Sequence, residues 1–206
     1  MRASFLIALL AVTACRQAEQ VPAASDTSPV NGVPDTAPPD SARALDCGVP
    51  SGETPVLSDQ GIGELRHNRT VAEIAASGCE VISDGEQRGQ EGMMERAVVV
   101  RVAGELVRTV VTNDRIFRIE VTTPRFRTAD SLGVDTPLSR IAAMRGAVFA
   151  PGEDGVYGFS PDHCGLSFRF SLPWRPPAGG QWTAQQIAAA HGDAAVNRVI
   201  VIACTR

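Results

Sequence analysis

Apolar and polar residues alternate most regularly in the middle of the chain. Three runs rich in Val, Ile, Thr and Phe predict three consecutive β-strands, at 97–103, 106–112 and 116–123. Two further runs, near 155–160 and 164–172, have the same character. The pattern therefore predicts an antiparallel sheet that is built around a central meander.

The turns of the meander set its register. Gly104-Glu105 fits a type II′ turn, which places Arg101 opposite Arg108. For the second hairpin we expect a three-residue loop, 113–115, because it sets Arg108 opposite Glu120 and keeps the apolar residues together. The apolar face would then hold Val107, Val111, Phe117, Ile119 and Val121. The other face would be charged.

Three short helices are predicted around this sheet. The segments Thr70–Glu73 and Thr183–Gln186 have the spacing of a capping box, and Thr136-Pro137 fits an N-cap followed by the first helical residue. Each helix contains Ile-Ala-Ala, ends near a Gly and precedes a strand-like run, at 80–83, 147–150 and 196–203. The likeness of the first two units reflects either internal duplication or the general similarity of short capped helices.

These elements predict an α+β fold in a single domain, residues 47–206, with short helices packed on one face of the antiparallel sheet. Residues 15–46 are rich in Pro, Ala, Ser and Asp and show no apolar period. Such a segment buries too little surface to offset its ordering entropy, so we expect a disordered tether.

The first fourteen residues read as a signal peptide, since Arg2 is followed by an apolar run, 5–12, that is too short to span a bilayer. Val12-Thr-Ala-Cys15 resembles the lipobox of bacterial lipoproteins. That resemblance implies lipidation of Cys15 and a membrane anchor; the alternative is an ordinary signal peptide with a chance cysteine. Arg16, where Asp would favour the inner membrane, points to the outer membrane, with the domain facing the periplasm.

The four remaining cysteines are Cys47, Cys79, Cys164 and Cys204. An even number in an exported chain predicts two disulfides, for which three pairings exist. Pairing the strand candidates so that Leu172 faces Val196 also sets Cys164 opposite Cys204, and Cys47–Cys79 remains. The competing interpretation is a reactive thiol at Cys164, next to His163.

Two stretches carry a family resemblance, Gly61–Ile74 and Thr128–Ile141. The first resembles the opening Gly-Ile-Gly-x-Leu-Arg-x-Gly-x-Thr-x-x-Glu of uncharacterised bacterial exported domains, and the second is similar to its second copy. The arrangement also resembles outer-membrane assembly lipoproteins and β-lactamase inhibitory proteins. This resemblance implies a non-catalytic domain that binds other proteins. Asn68 and Asp135 stand where those domains usually have Gly.

Charge narrows the candidate functions. All 19 basic residues are Arg, so lysine-dependent chemistry is excluded, and the net charge of −4 argues against nucleic acid as a partner. Segment 96–127 holds seven Arg and three acidic residues. Its charged face is our candidate binding surface, with Arg101, Arg108, Arg118 and Glu120 as its central residues. A merely solvated sheet face is the alternative.

Few other residues suggest chemistry. Trp174 and Trp182 flank the loop 175–180, where they contact a ligand or cover the sheet edge. The three histidines lack metal-ligand spacing, and no nucleotide or nucleophile motif occurs, so we expect no metal and no cofactor. His191 suits the last turn of a helix.

The sequence therefore predicts a cell-envelope lipoprotein with a non-catalytic interaction or structural role and an envelope protein as partner. One alternative is a module for a small anionic envelope ligand, in which the tryptophan loop and the arginine face share one cleft. A less favoured alternative is a hydrolase that uses His163 with Asp162 and Ser160 or Ser167.

Overall fold

The predicted meander lies inside a larger antiparallel sheet in the computed structural model, which describes residues 45–89, 92–177 and 180–204. The predicted leader, Cys15 and the tether up to residue 44 lie outside the described residues. Leu45 and Asp46 already form a strand, so the folded part starts at least two residues before the predicted boundary at 47. The described residues belong to one compact unit.

The elements of the N-terminal half come first. Two small sheets consist of β1 (Leu45–Asp46) with β2 (Val49–Pro50), and of β3 (Leu57–Ser58), β4 (Gly61–Ile62) and β5 (Leu65–Arg66). Helix α1 (Val71–Ala76) follows. The next four strands are β6 (Glu80–Arg88), β7 (Met94–Val102), β8 (Glu105–Thr112) and β9 (Arg115–Val121).

The C-terminal half repeats this order of helix and strands. Its elements are α2 (Leu138–Ala142), β10 (Val148–Gly152), β11 (Gly155–Phe159), a 3-10 helix (Pro161–His163), β12 (Leu166–Phe170), α3 (Ala184–His191) and β13 (Val196–Ile202). Eight strands form the main sheet in the order β10-β11-β12-β13-β9-β8-β7-β6, and every neighbouring pair is antiparallel. The α+β prediction is confirmed. Among the described residues, no helix has the length and apolarity needed to cross a bilayer.

The two halves of the main sheet meet at their last strands, β9 and β13, where Glu120 lies opposite Ile200. Both halves contain a bulge at the same place, because Phe117 in β9 and Asn197 in β13 are each skipped by the pairing with the preceding strand. Counting along the strands from these bulges makes Arg118 equivalent to Arg198 and Glu120 equivalent to Ile200. The sheet therefore has a pseudo-two-fold axis at the Glu120–Ile200 pair.

The residues that precede each helix repeat as well. The amide of Asn68 donates to the carbonyl of Ile116 (3.0 Å), and the amide of Asp135 donates to that of Val196 (2.8 Å). Asn68 and Asp135 have left-handed φ values of 61° and 68°, a conformation that Gly adopts most easily. This repeat favours internal duplication over a general likeness of capped helices. In the second half, helix α3 lies in the connection between β12 and β13, where the first half has only the two-residue turn 113–114 between β8 and β9. Helix α3 is therefore not the equivalent of α1 in the repeat, and the two helices resemble each other only in their capping.

The core lies between one face of the main sheet and the helices. Val98, Val107 and Phe168 point from the sheet into it, and Ile74 and Ile141 pack on them from α1 and α2. Burying each of these side chains stabilises the fold by about 1.5–3 kcal/mol. The predicted capping boxes of α1 and α3 are confirmed. The predicted cap of α2 is wrong, because Pro137 holds the N-cap position and the Thr136 hydroxyl accepts from the amide of Gly133 (2.9 Å) instead.

The predicted register of the first hairpin is wrong by two residues. Ala103 and Gly104 form the turn, and both have positive φ (47° and 83°), as a type I′ turn requires. Arg101 therefore lies opposite Leu106 and not opposite Arg108. Its guanidinium instead forms an ion pair with Glu80 of the neighbouring strand β6, at 2.8 Å.

The second hairpin turns through two residues, Asn113 and Asp114, and not through three. The bulge at Phe117 restores the expected register beyond it, so the predicted pairing of Arg108 with Glu120 is confirmed. The position predicted for Phe117 is wrong. Its side chain is 54% exposed, and Ile116 takes the buried place.

Both disulfides join the expected cysteines, Cys47 with Cys79 and Cys164 with Cys204. The strand register used to predict the second disulfide is wrong by two residues at Val196, where Phe170 and not Leu172 lies opposite, and by one residue beyond the bulge, where Leu166 lies opposite Val201. The pairing survives because both cysteines lie beyond the ends of β12 and β13.

The outermost strands of the main sheet are β6 and β10. Pro151 lies within β10, and the pairing of β6 is irregular between Val81 and Ser83.

Candidate functional site

The outward face of the main sheet, opposite the helices, holds the candidate site. Its centre is a ring of two arginines and two glutamates on β7, β8 and β9. Arg108 donates to Glu120 (2.8 Å) and to Glu95 (2.7 Å). Arg118 donates to the same two carboxylates, at 2.9 Å each. Glu120 is only 6% exposed, so its charge depends on these arginines for compensation.

A second set of charges lies on the other side of the pseudo-two-fold axis. Asp154, at the tip of the β10–β11 hairpin, forms an ion pair with Arg169 (2.9 Å) and accepts from the hydroxyl of Tyr157 (2.7 Å). Burial opposes the ionisation of Asp154, but the hydrogen bonds from Tyr157 and Arg169, together with the charges of Arg169 and Arg198, outweigh it and lower the pKa of the carboxyl. Arg198 lies between the two sets, 3.5 Å from Glu120 and 3.9 Å from Asp154.

These charges border an open cavity of about 560 Å³. The tips of the β6–β7 and β10–β11 hairpins line it, and the sheet contributes Arg108, Glu120 and Arg198. Since the two tips are equivalent in the repeat, the cavity lies over the pseudo-two-fold axis.

An apolar patch adjoins the charged centre. Arg118 and Ser167 border a smaller cavity of about 250 Å³, whose apolar lining is Phe117, Pro151, Tyr157, Phe159, Ile200 and Ile202. In the first half, the positions equivalent to Tyr157 and Phe159 hold Ala97 and Val99. The two halves of the outward face therefore differ, because the second half carries two aromatic side chains where the first half carries Ala and Val.

The structure brings three of the predicted surface residues, Arg108, Arg118 and Glu120, into one ion-paired ring. Arg101 lies apart from this ring with Glu80, towards the sheet edge.

The predicted tryptophans pack against the buried core, not on the charged ring. Trp182 contacts His191 of α3 edge to face, with ring centroids 5.9 Å apart. Trp174 borders the tip of the β10–β11 hairpin. The shared cleft that a small-ligand module requires is therefore not formed by Trp182 and the arginine face.

Four charged residues of the site were not predicted, namely Glu95, Asp154, Arg169 and Arg198. Glu95 is in phase with the outward residues of β7, and Arg198 stands alone among Val and Ile in β13. A charged residue inside an apolar strand was the available signal. The register between β9 and β13, which sets their neighbours, cannot be read from the sequence.

The side chains of the hydrolase hypothesis are not brought together. His163 pairs with Asp130 at 3.0 Å, the hydroxyl of Ser160 accepts from the amide of Asp162 (3.2 Å), and Ser167 lies on the outward face beside Ile200. Burial opposes the ionisation of Asp130, but hydrogen bonds from Thr128 and His163 lower the pKa of the carboxyl overall. Within the described ranges, no group of three or more His, Cys, Asp or Glu is arranged to hold a metal ion.

The chain matches no protein-family model and has no significant match among curated proteins. Among solved structures it is similar to the crystal structure of the uncharacterized protein yfeY from Escherichia coli, with 19% sequence identity and a TM-score of 0.49. The match covers 71% of this chain and 99% of the other.

Proposed function

We propose that the protein is a lipoprotein of the bacterial cell envelope, anchored through Cys15, whose folded domain binds another envelope protein and performs no catalysis. The observation that carries this proposal is the outward sheet face, on which an ion-paired ring adjoins the exposed Phe117 and the half-buried Tyr157, Phe159 and Ile202. In the described part of the chain, the helices pack on the opposite face and leave this surface accessible.

The location in the envelope is supported by two features. The N-terminal pattern resembles a lipoprotein signal, and Cys47–Cys79 and Cys164–Cys204 are disulfides, which persist in oxidising compartments. An outer-membrane anchor with the domain towards the periplasm accords with Arg16 after the lipidated cysteine.

The composition of the face supports a protein as partner. Tyr, Phe and Arg are enriched in protein interfaces, and well-packed anchors of these types contribute most of the binding energy. The sheet also holds them rigidly, so little entropy is lost when they are buried. A partner would bury Phe117, Phe159 and Ile202 beside the charged ring.

Site-specific photocrosslinking in living cells tests the interaction. A photoreactive amino acid replaces Phe117 or Phe159 on the outward face, or the exposed Gln185 of α3 as a control. We expect the same protein, identified by mass spectrometry, to be attached from both outward positions and not from α3. The adduct should disappear when Arg118→Glu is added. No adduct, or equal adducts from all three positions, would refute the interaction.

The anchor is tested separately by the intact mass of the native protein. We expect the mass of a chain that starts at Cys15 and carries acyl groups, and Cys15→Ser should release the protein from the membrane fraction. An uncleaved leader without acyl groups would contradict the anchor.

A further inference from the structure

We propose that Arg198 binds a carboxylate side chain of the protein partner and thereby anchors it at the centre of the outward face. This inference rests on the proposed function and deepens it by naming the chemistry of the partner.

Arg198 lacks the hydrogen bonds that its equivalent in the repeat makes. Its equivalent in the repeat, Arg118, donates hydrogen bonds to Glu95 and Glu120 from both Nε and Nη2. Among the described residues, the guanidinium of Arg198 donates no hydrogen bond, and its Nε is buried without an acceptor. The Nε of Arg169 also lacks a well-aligned acceptor, but it lies 2.9 Å from a carboxylate oxygen of Asp154, whereas Arg198 has no carboxylate that close. Its two carboxylate contacts, at 3.5 Å and 3.9 Å, are too long for hydrogen bonds of good geometry. An arginine that is largely removed from water normally has acceptors for its five donors.

The charges on the two sides of the pseudo-two-fold axis do not balance. On the sheet and at Asp154, four guanidinium groups meet three carboxylates, namely Arg108, Arg118, Arg169 and Arg198 against Glu95, Glu120 and Asp154. The hairpin tips add one further cation and one further carboxylate to the cavity lining, Arg88 and Glu153, so the excess of one cation remains. The ring of the first half pairs two arginines with two glutamates, and Arg169 pairs with Asp154. Arg198 is the cation left without a carboxylate of its own, and it faces the large cavity.

An anion would reach Arg198 through the large cavity. Its lining also includes the carboxylates Glu120, Glu153 and Asp154, which would repel an anion if they were uncompensated. Glu120 receives hydrogen bonds from Arg108 and Arg118, and Asp154 is held by Arg169 and Tyr157. An incoming carboxylate meets two cations in this lining, the exposed Arg88 of a hairpin tip and Arg198 of the sheet. Of the arginines that the sheet contributes, Arg198 is the one without a hydrogen-bonded carboxylate, and its two terminal Nη groups can donate two parallel hydrogen bonds.

The surroundings favour an acidic side chain of a protein over a free anion. Ile200 lies opposite Glu120 and belongs to the apolar patch, so the site of Arg198 adjoins aromatic and aliphatic side chains. An acidic residue that is flanked by apolar residues would engage both at once. A free anion would gain nothing from the patch.

Arginine side-chain NMR of the whole chain in detergent tests the anchor without the partner. The probe is a glutamate blocked at both ends, titrated at constant ionic strength, with blocked glutamine as the neutral control and inorganic phosphate as the competing anion. We expect a saturable shift of the Arg198 Nε–Hε signal with blocked glutamate, and none with blocked glutamine. The signal is assigned by its loss in Arg198→Lys, which should also weaken binding of the probe about tenfold because the bidentate geometry is lost.

The proposal is overturned if the Arg198 signal does not move, if blocked glutamine moves it equally, or if phosphate saturates it at lower concentration than blocked glutamate. The crosslinking experiment separates this outcome from the proposed function. An outward-face adduct that Arg198→Glu leaves unchanged removes the anchor but keeps the interaction. A saturable NMR shift without any adduct keeps an anion site but removes the protein partner.

Discussion

Arg118 and Arg198 stand at equivalent positions on the two central strands of the main sheet, but their surroundings differ. Arg118 donates to both Glu95 and Glu120, whereas Arg198 has only two longer contacts among the described residues. Both halves of the repeat therefore have an arginine at this position, but only the arginine of the first half has carboxylates within hydrogen-bond distance. Such a face suits an asymmetric partner better than a two-fold symmetric one.

Glu120→Gln should destabilise the domain by about 3 kcal/mol, because Arg108 and Arg118 would lose a shared, buried counter-ion. Urea unfolding followed by circular dichroism measures the change. The exposed Glu86 of β6 supplies the matched control, and Glu86→Gln should cost about 0–0.5 kcal/mol. Equal effects of the two substitutions would show that the ring contributes nothing to stability.

Asn68 occupies a left-handed conformation that a β-branched side chain tolerates poorly. Asn68→Val should therefore cost about 1–2 kcal/mol, while Asn68→Gly should leave stability nearly unchanged. Asp135→Val and Asp135→Gly should behave the same way in the second half, because Asp135 has an equivalent φ. Thermal unfolding of the four variants tests this, and a stable Asn68→Val protein would contradict the strain argument.

Each disulfide should contribute about 3–4 kcal/mol in the loop-closure description, since the sequence separations are 32 and 40 residues. The double variants Cys47→Ala/Cys79→Ala and Cys164→Ala/Cys204→Ala test them one at a time by urea unfolding. Comparison with the wild type under reducing conditions provides the control. A double variant as stable as the oxidised protein would show that its disulfide does not constrain the unfolded chain.

His67 should make the folded domain less stable as the pH falls from 7 towards 5. Burial lowers its pKa in the folded state, because the imidazolium loses solvation there. The unfolded chain then binds more protons, and by linkage stability rises with pH by up to about 1.4 kcal/mol per unit across that window. Unfolding free energies measured over this range should show a smaller slope in His67→Gln. An unchanged slope would assign the pH dependence to other groups.

Most helices and strands could be predicted from the sequence, because caps, turns and alternating residues are local patterns. The register of the first hairpin could not be predicted in this way. A shift of two residues leaves every side chain on its face, so alternation alone cannot separate a turn at Ala103-Gly104 from one at Gly104-Glu105. Positive φ at Ala103 is also unusual for a residue with a Cβ. At the second hairpin, the extra residue Phe117 hides the difference between a two-residue and a three-residue loop.

The site was predictable only within one hairpin. Arg108 and Glu120 belong to neighbouring strands, so their pairing followed from face matching. Arg198 and Asp154 come from the second half, and their approach to Glu120 depends on how β13 pairs with β9. No turn fixes the pairing of β13 with β9, because three strands and two α-helices separate these two strands along the chain.

The two outermost strands of the main sheet carry features that discourage addition of another strand. Proline has no amide hydrogen to donate, so Pro151 interrupts the free edge of β10. The irregular pairing between Val81 and Ser83 bends the opposite edge, which also bears Glu80, Asp84 and Glu86. These features should therefore hinder edge-to-edge strand pairing between neighbouring molecules, and with it aggregation at high protein concentration.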